Sequence, residues 1–438
     1  LSRLAGLLLC LGVGWAAAGA DSVAADSVTT ADRVATDSVT TADETDIAIT
    51  VHSAEGKQLF LWLPSEAGPQ PADERISGQL AAAGIEVWSV DLVEARFLPQ
   101  TASSVDQVPA GDVAALLQHA QRSTDKQLFV VANGRSVIPA LRGLRAWQLQ
   151  SDDQSRLGGL ILLSPKLFVE TPEPGVAPQL MPIVSASNAP IYLLQPEQSP
   201  WFWKRGLTVP ALERGGSDVY VRLLPGVRDR FYFRPDAVAA EETMAARLPT
   251  LLRQAARALA ALPTKVRRPT TGLAAAPPVR EGKRPRALRP FVGNPTPPSL
   301  TLADLQGRLH RLEDYHGQVV LVNFWASWCP PCVHEMPSMQ RLADRLAGQP
   351  FHILAVNMAE PAATVQDFVR NRVQVHFPVL LDRDGAVLQR WQVFAFPTSF
   401  VLGPEGRIRY ALFGATEWDN AALLRKLEAL LAETAQVQ

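Results

Sequence analysis

The chain has 438 residues, 42 Lys and Arg against 43 Asp and Glu, a net charge of −1 and 47% hydrophobic residues. That length allows about three domains, or two with long linkers, and the near-neutral charge supplies no global field for a nucleic-acid partner. Three cysteines (Cys10, Cys329, Cys332) and seven histidines exclude a disulfide-stapled scaffold and a multi-cysteine zinc or iron–sulfur framework.

Residues 1–20 read as an export signal. Arg3 precedes an uncharged run from Leu4 to Ala20, and Ala18-Gly19-Ala20 is a small-residue cleavage site that would leave Asp21 first. The run of 17 residues falls just short of a membrane span. An uncleaved anchor, with membrane association, is the alternative. Leu9 before Cys10 argues against a lipoprotein. Cleavage removes Cys10 and leaves Cys329 and Cys332 in an oxidising, periplasmic or extracytoplasmic setting. Residues 21–46 carry seven acids, one base (Arg33) and a near-repeat of ADSVTTAD. With so little to bury, this is expected to be a disordered acidic spacer.

Residues 47–262 alternate short apolar strands with helices. Strands are expected at 59–64, 85–90, 127–132, 159–163, 190–194 and 218–224, with helices around 73–83, 111–122 and 241–262. The pattern means an α/β fold, a mostly parallel doubly wound sheet with helices on both faces. Residues 263–298 hold nine Pro, eight Lys or Arg and one acid, Glu281, and read as a Pro/Arg-rich linker. From 299 to 438 order resumes. Strands are expected at 319–325, 352–357, 377–381, 398–402 and 407–412. Val365, Phe368 and Val369 mark one helix face, and Leu423, Leu424, Leu427, Leu430 and Leu431 a closing helix.

Trp328-Cys329-Pro330-Pro331-Cys332 follows directly on the apolar strand at 319–325. Residues three apart on a helix have Cβ atoms about 5–6 Å apart, so the two sulfurs lie within closing distance of a disulfide. Cys329 falls at the helix start, where unpaired amides and the dipole lower a thiol pKa. Cys332, one turn deeper, is placed to resolve. Pro330 and Pro331 are tolerated in a first turn but remove amide donors. Zinc needs two more ligands, and haem attachment needs His where Val333 stands. A two-residue loop is also a poor structural staple. Redox exchange remains, and it calls for no cofactor and no metal.

These residues carry a resemblance. Asn323-Phe-Trp-Ala-Ser-Trp-Cys-Pro-Pro-Cys332, Glu335, Pro337 and Phe396-Pro397-Thr398 resemble the TlpA/ResA-like family of thioredoxin-fold thiol-disulfide oxidoreductases. The segment 356–391, with Phe377-Pro-Val-Leu-Leu-Asp382, resembles that family's strand–helix insert. The likeness covers residues 293–433, about a third of the chain. It implies a thioredoxin-like domain with catalytic Cys329 and Cys332 as the redox disulfide. Glu335 would be a proton shuttle, and Trp328, Phe396 and a cis Pro397 would form the substrate-binding rim. It further implies client proteins with disulfides, of the cytochrome c maturation or copper-delivery type, and a membrane thiol-disulfide reductant. Glu335 also has its own physical reading: a carboxylate buried at i+3 from Cys332 has a raised pKa and can exchange a proton with the thiol. His334 is expected at the surface.

The strand order at 47–262, with the turn Gly134-Arg135-Ser136, resembles the α/β-hydrolase fold. A nucleophile elbow reads G-x-S-x-G; Ser136 fits and Ile138 does not. Glu197 lies near the place of the triad acid. No His follows Ser136 before His310, and the loop where the base belongs reads Pro225-Gly-Val-Arg-Asp-Arg-Phe231, so the unit is expected to bind or dock and not to hydrolyse. The competing expectations are a serine esterase with a redox accessory domain and a non-enzymatic envelope binding or redox-sensing protein.

Overall fold

Continuous apolar runs bury both faces of a strand and so select the middle of a parallel sheet. In the computed structural model, which describes residues 34–263, 265–269, 272–275 and 287–437, such runs build two sheets. The first contains β1 Val34–Thr40, β2 Asp46–His52, β3 Gln58–Leu63, β4 Ile85–Ser89, β5 Gln127–Asn133, β6 Leu157–Leu163, β7 Pro190–Gln198 and β8 Asp218–Arg228, in the order β1-β2-β4-β3-β5-β6-β7-β8. β2 pairs antiparallel with both β1 and β4, and every other pairing is parallel. Its helices are α1 Pro71–Ala82, α2 Ala102–Gln107, α3 Ala110–Ser123, α4 Val137–Gln150, α5 Arg205–Arg214 and α6 Ala239–Ala260. Val113 and Leu117 of α3 with Leu141 and Leu144 of α4 cover one face; Ile76 and Leu80 of α1 with Leu248 and Leu252 of α6 cover the other. The mixed α/β class expected from the sequence is the one observed.

The second sheet holds β9 Arg289–Pro290, β12 Val319–Trp325, β13 Phe351–Met358, β14 Val379–Asp382, β15 Thr398–Leu402 and β16 Ile408–Phe413, ordered β14-β13-β12-β15-β16-β9. A separate hairpin pairs β10 Thr301–Ala303 with β11 Leu309–Arg311. Strand β12 is central, parallel to β13 and antiparallel to β15, and all seven of its residues are buried. Helices α7 Pro330–Arg345, α8 Ala362–Phe368, α9 Ala386–Arg390 and α10 Ala421–Val437 complete this unit. Among the described residues no helix is long and apolar enough to cross a membrane.

Two expectations are corrected. The signal segment 1–20 and spacer residues 21–33 lie outside the described residues, but the rest of the spacer is ordered as β1 and its turn. Two of its acids are paired and not merely solvated: Asp37 lies 2.7 Å from His119, and Asp43 lies 2.6 Å from Arg96. In the stretch 263–298, Arg267 is buried, paired with Asp218 and donating to Gly216 O at 3.2 Å. Leu288 already belongs to the second core and β9 to the second sheet, so packing resumes before residue 299. An arginine reads as solvated in sequence, yet a guanidinium with a carboxylate and carbonyl acceptors can be buried.

The two units touch along the loop after β7. Trp201 stacks on Phe168, and both rings meet Phe394, at centroid distances of 5.2 and 5.0 Å. Lys204 donates to Val393 O at 3.0 Å, and burial pulls its pKa down to about 8. Trp203 fills the space beside Gly385, where a Cβ would stand 2.4 Å from the ring.

Helix α4, which follows the turn after β5, lies so close to α3 that a Cβ on Gly143 would stand 2.3 Å from Val113 Cβ. Alanine is the better helix former, yet Gly143→Ala is expected to lower stability by about 1–3 kcal/mol through overpacking. Chemical denaturation measures this, and a gain in stability would contradict the close approach.

Candidate active site

Strand β12 delivers the chain to the start of α7, where Cys329 is the capping residue. Its Sγ accepts from Cys332 N at 3.3 Å. Pro330 and Pro331 have no N–H, so the amide of Cys332 is the first that the helix can offer to sulfur. Cys329 and Cys332 form a disulfide with Cα atoms 5.3 Å apart. Cys329 retains 6% exposure and Cys332 none. The asymmetry expected from sequence, an outer sulfur at the helix start and an inner one behind it, is present in the geometry.

One turn further along α7, Glu335 is 1% exposed. Burial pushes its pKa up to about 7, against the opposing hydrogen bonds from Asn323, Trp418 and Thr416. Asn323 Nδ2 donates to Oε1 at 2.8 Å, and Trp418 Nε1 and Thr416 N donate to Oε2 at 3.2 and 3.3 Å. Asn323 also donates to Ser399 Oγ on β15 at 2.9 Å, which ties the acid to the sheet. Thr416 and Trp418 were not singled out from sequence, and Asn323 entered only as the first residue of the run that carries the resemblance. Asn323 had a signal: an amide inside an otherwise apolar central strand must find buried partners.

The peptide bond between Phe396 and Pro397 is cis, as the sequence resemblance implied. Phe396 stands edge-on to Trp328, with ring centroids 5.8 Å apart and planes at 88°. Trp328 and the Phe396-Pro397 pair, expected from sequence at a substrate rim, are thus brought side by side from two separate loops. His334 is exposed, as expected, with Nε2 3.8 Å from Glu417. Among the described residues no three His, Cys, Asp or Glu gather to hold a metal ion.

The turn after β5 is shifted from its sequence reading. Ser136 is buried and its Oγ donates to Pro64 O, so it presents no free hydroxyl. The residue with positive φ (58°), at the sharp point of the turn, is Gly134. A Cβ there would stand 2.5 Å from Glu66 Oε2. That carboxylate accepts from Arg135 N at 3.0 Å and pairs with Lys166 and with Arg230, the latter at 2.6 Å. Against the raising effect of burial, Lys166, the Arg135 amide and Arg230 hold Glu66 down to about 2. Glu197 lies within β7 and not in the loop beyond it; β8 ends at Arg228, and Asp229 and Arg230 follow in the turn.

Residues 292–411 match the model of the AhpC/TSA family. The thiol-disulfide oxidoreductase ResA of Geobacillus thermodenitrificans is 41% identical over 119 residues, 27% of this chain and 68% of that protein. The ResA of Geobacillus kaustophilus is 40% identical over 135 residues, 31% of this chain and 76% of that protein. A solved structure described as a putative thiol:disulfide interchange protein DsbE from Chlorobium tepidum is 28% identical, covering 33% of this chain and 99% of that one with a TM-score of 0.30. With the cysteine pair at a helix start on a thioredoxin-like sheet, the chain belongs through its C-terminal unit to the ResA-type thiol-disulfide oxidoreductases of the AhpC/TSA family.

Proposed function

We propose that the protein reduces disulfides in client proteins outside the cytoplasm, and that Cys329, Cys332 and Glu335 carry the reaction. The observation behind this is the stacking of three features: an outer sulfur at a helix start, an inner sulfur behind it, and a buried acid one turn on. In the reduced form the Cys329 thiolate attacks a client sulfur, and the other client sulfur leaves as a thiolate and takes a proton. Cys332 then gives its proton to the Glu335 carboxylate and attacks Cys329 Sγ. The second client sulfur leaves as a thiolate and takes a proton from Glu335, so the client departs as a dithiol, the acid is a carboxylate again, and two electrons have passed from the cysteine pair to the client bond. A membrane thiol-disulfide reductant restores the pair. Clients of the cytochrome c maturation or copper-delivery type fit the family resemblance, and the signal-like residues 1–20 support export, with membrane association if they are not cleaved.

In this proposal the first unit, read from sequence as residues 47–262 and extended by β1 to Val34, is an α/β-hydrolase-like scaffold that does not hydrolyse. The sheet order supports the likeness. The place of a nucleophile at the strand-to-helix turn is taken by Gly134. The amide after it, which would stabilise an oxyanion, is occupied by the Glu66 carboxylate. Arg stays protonated and cannot serve as the base at the end of β8.

In the reduced protein near neutral pH, iodoacetamide should label Cys329 and leave Cys332 unlabelled; equal rates at the two sulfurs would contradict the assignment. The pH dependence of stability reports on Glu335. Its folded pKa lies above its ordinary value of 4.5, at about 7, so the folded state holds the extra proton and stability falls as pH rises between those values. For the oxidised protein, the wild type should lose on the order of 3 kcal/mol relative to Glu335→Gln across that window. Parallel stability curves would remove the buried acid. Glu335→Gln should also slow exchange and flatten its pH profile near 7, and an unchanged profile would remove Glu335 from proton transfer. An active-site phosphonate and short-chain esters should give neither labelling of Ser136 nor turnover. Stoichiometric labelling, with turnover lost in Ser136→Ala, would restore the esterase reading.

A further inference from the structure

The two residues that flank the outer cysteine in the chain face the first unit. Trp328 and Pro330, on either side of Cys329, line a cleft of about 460 Å³ whose opposite wall is the first unit. That wall is the end of β7 at Gln198, the end of β8 at Arg228 and the start of α6 at Val238. It lies at the carboxyl edge of a parallel sheet, the edge at which α/β folds gather their ligands.

We infer that a client reaches Cys329 through this two-walled cleft as an extended segment, with an apolar side chain beside its cysteine and a carboxylate placed for Arg372; this rests on the redox reading above. The volume is in the range of about 300–1,000 Å³ typical of ligand pockets, which suits a short extended segment and not a folded surface. Val333 and Phe368 on one side and Val238 on the other give the apolar contact. The charge is set by what is already paired. Arg228 is neutralised by Glu241 at 2.6 Å and Asp236 at 3.0 Å. Arg372, exposed on the widened turn Val369–Val373 that continues α8, has no acidic partner among the described residues. A single-turn widening of this kind is frequent at functional sites. His334 on the same lining lies 3.8 Å from Glu417, so among the described residues Arg372 is the arginine that the cleft leaves without an acidic partner, above a floor of Val333, Phe368 and Val238. The contacts of Trp201 and Lys204 with Phe394 and Val393 hold the far wall against the loop that leads to Pro397.

The test uses the full-length reduced protein and two synthetic peptides of the form X-Leu-Cys, each disulfide-linked to a quenched reporter, with X either Asp or Lys. Each rate is divided by the rate on hydroxyethyl disulfide, a small neutral substrate. The wild type should favour the Asp peptide by about fivefold, the scale of one partly exposed charge pair, and Arg372→Glu should invert the preference. On the opposite wall, Val238→Trp should slow both peptides relative to the small disulfide. Gln198→Glu, which places a competing carboxylate in the cleft, should remove the Asp preference. Equal normalised rates for the two peptides in both wild type and Arg372→Glu would overturn the inference. So would wild-type peptide rates in both first-unit variants. Failure of the wild type to reduce hydroxyethyl disulfide would instead strike the redox reading itself.

Discussion

Burying a carboxylate is costly unless donors replace the water it loses, and the second unit is organised around that requirement at Glu335. Its three donors come from separate parts of the chain: Asn323 in the central strand, and Thr416 and Trp418 ahead of the last helix. Satisfying them together fixes α7 against β12 and locks the segment before α10 beneath it. The same helix carries both sulfurs, so the network that keeps the acid dry also sets the height of the disulfide above the sheet. Because the hydrogen bonds only partly offset burial, the acid keeps a pKa of about 7 and can hold or release a proton at neutral pH.

The first unit follows a different constraint. At the carboxyl ends of its strands a sharp turn with positive φ at Gly134 aims the Arg135 amide at one point. In this chain the point is filled from within, by a carboxylate whose neighbours are Lys166 and Arg230. The adjoining part of the same edge, at the ends of β7 and β8, faces the redox unit. The edge at which an α/β sheet ordinarily meets ligand is thus partly plugged and partly turned into a wall beside the reactive cysteine.

Much of this was legible in the sequence where one residue run carries its own reason. The apolar runs at 319–325 and 398–402 coincide with β12 and β15, and Cys329-Pro-Pro-Cys332 fell at the start of α7. What escaped depends on partners distant in the chain. β1 looked too acidic to fold because His119 and Arg96, which receive its acids and those of its turn, lie in other elements. Residues 288–290 looked like linker because their strand partner is β16, more than a hundred positions later. Trp201 and Trp203 carried no periodicity and showed their role only once Phe394 and Gly385 stood opposite. At the turn after β5 the spacing Gly-x-Ser pointed at Ser136, whereas the backbone places the critical position two residues earlier.

The most direct measurement is capture of the mixed disulfide. Reduced full-length Cys332→Ala protein, mixed with excess oxidised insulin, should stop as a one-to-one covalent adduct through Cys329, identified by peptide mass mapping and released by dithiothreitol. The absence of an adduct, or an equal yield through Cys332 in Cys329→Ala protein, would contradict Cys329 as the attacking sulfur.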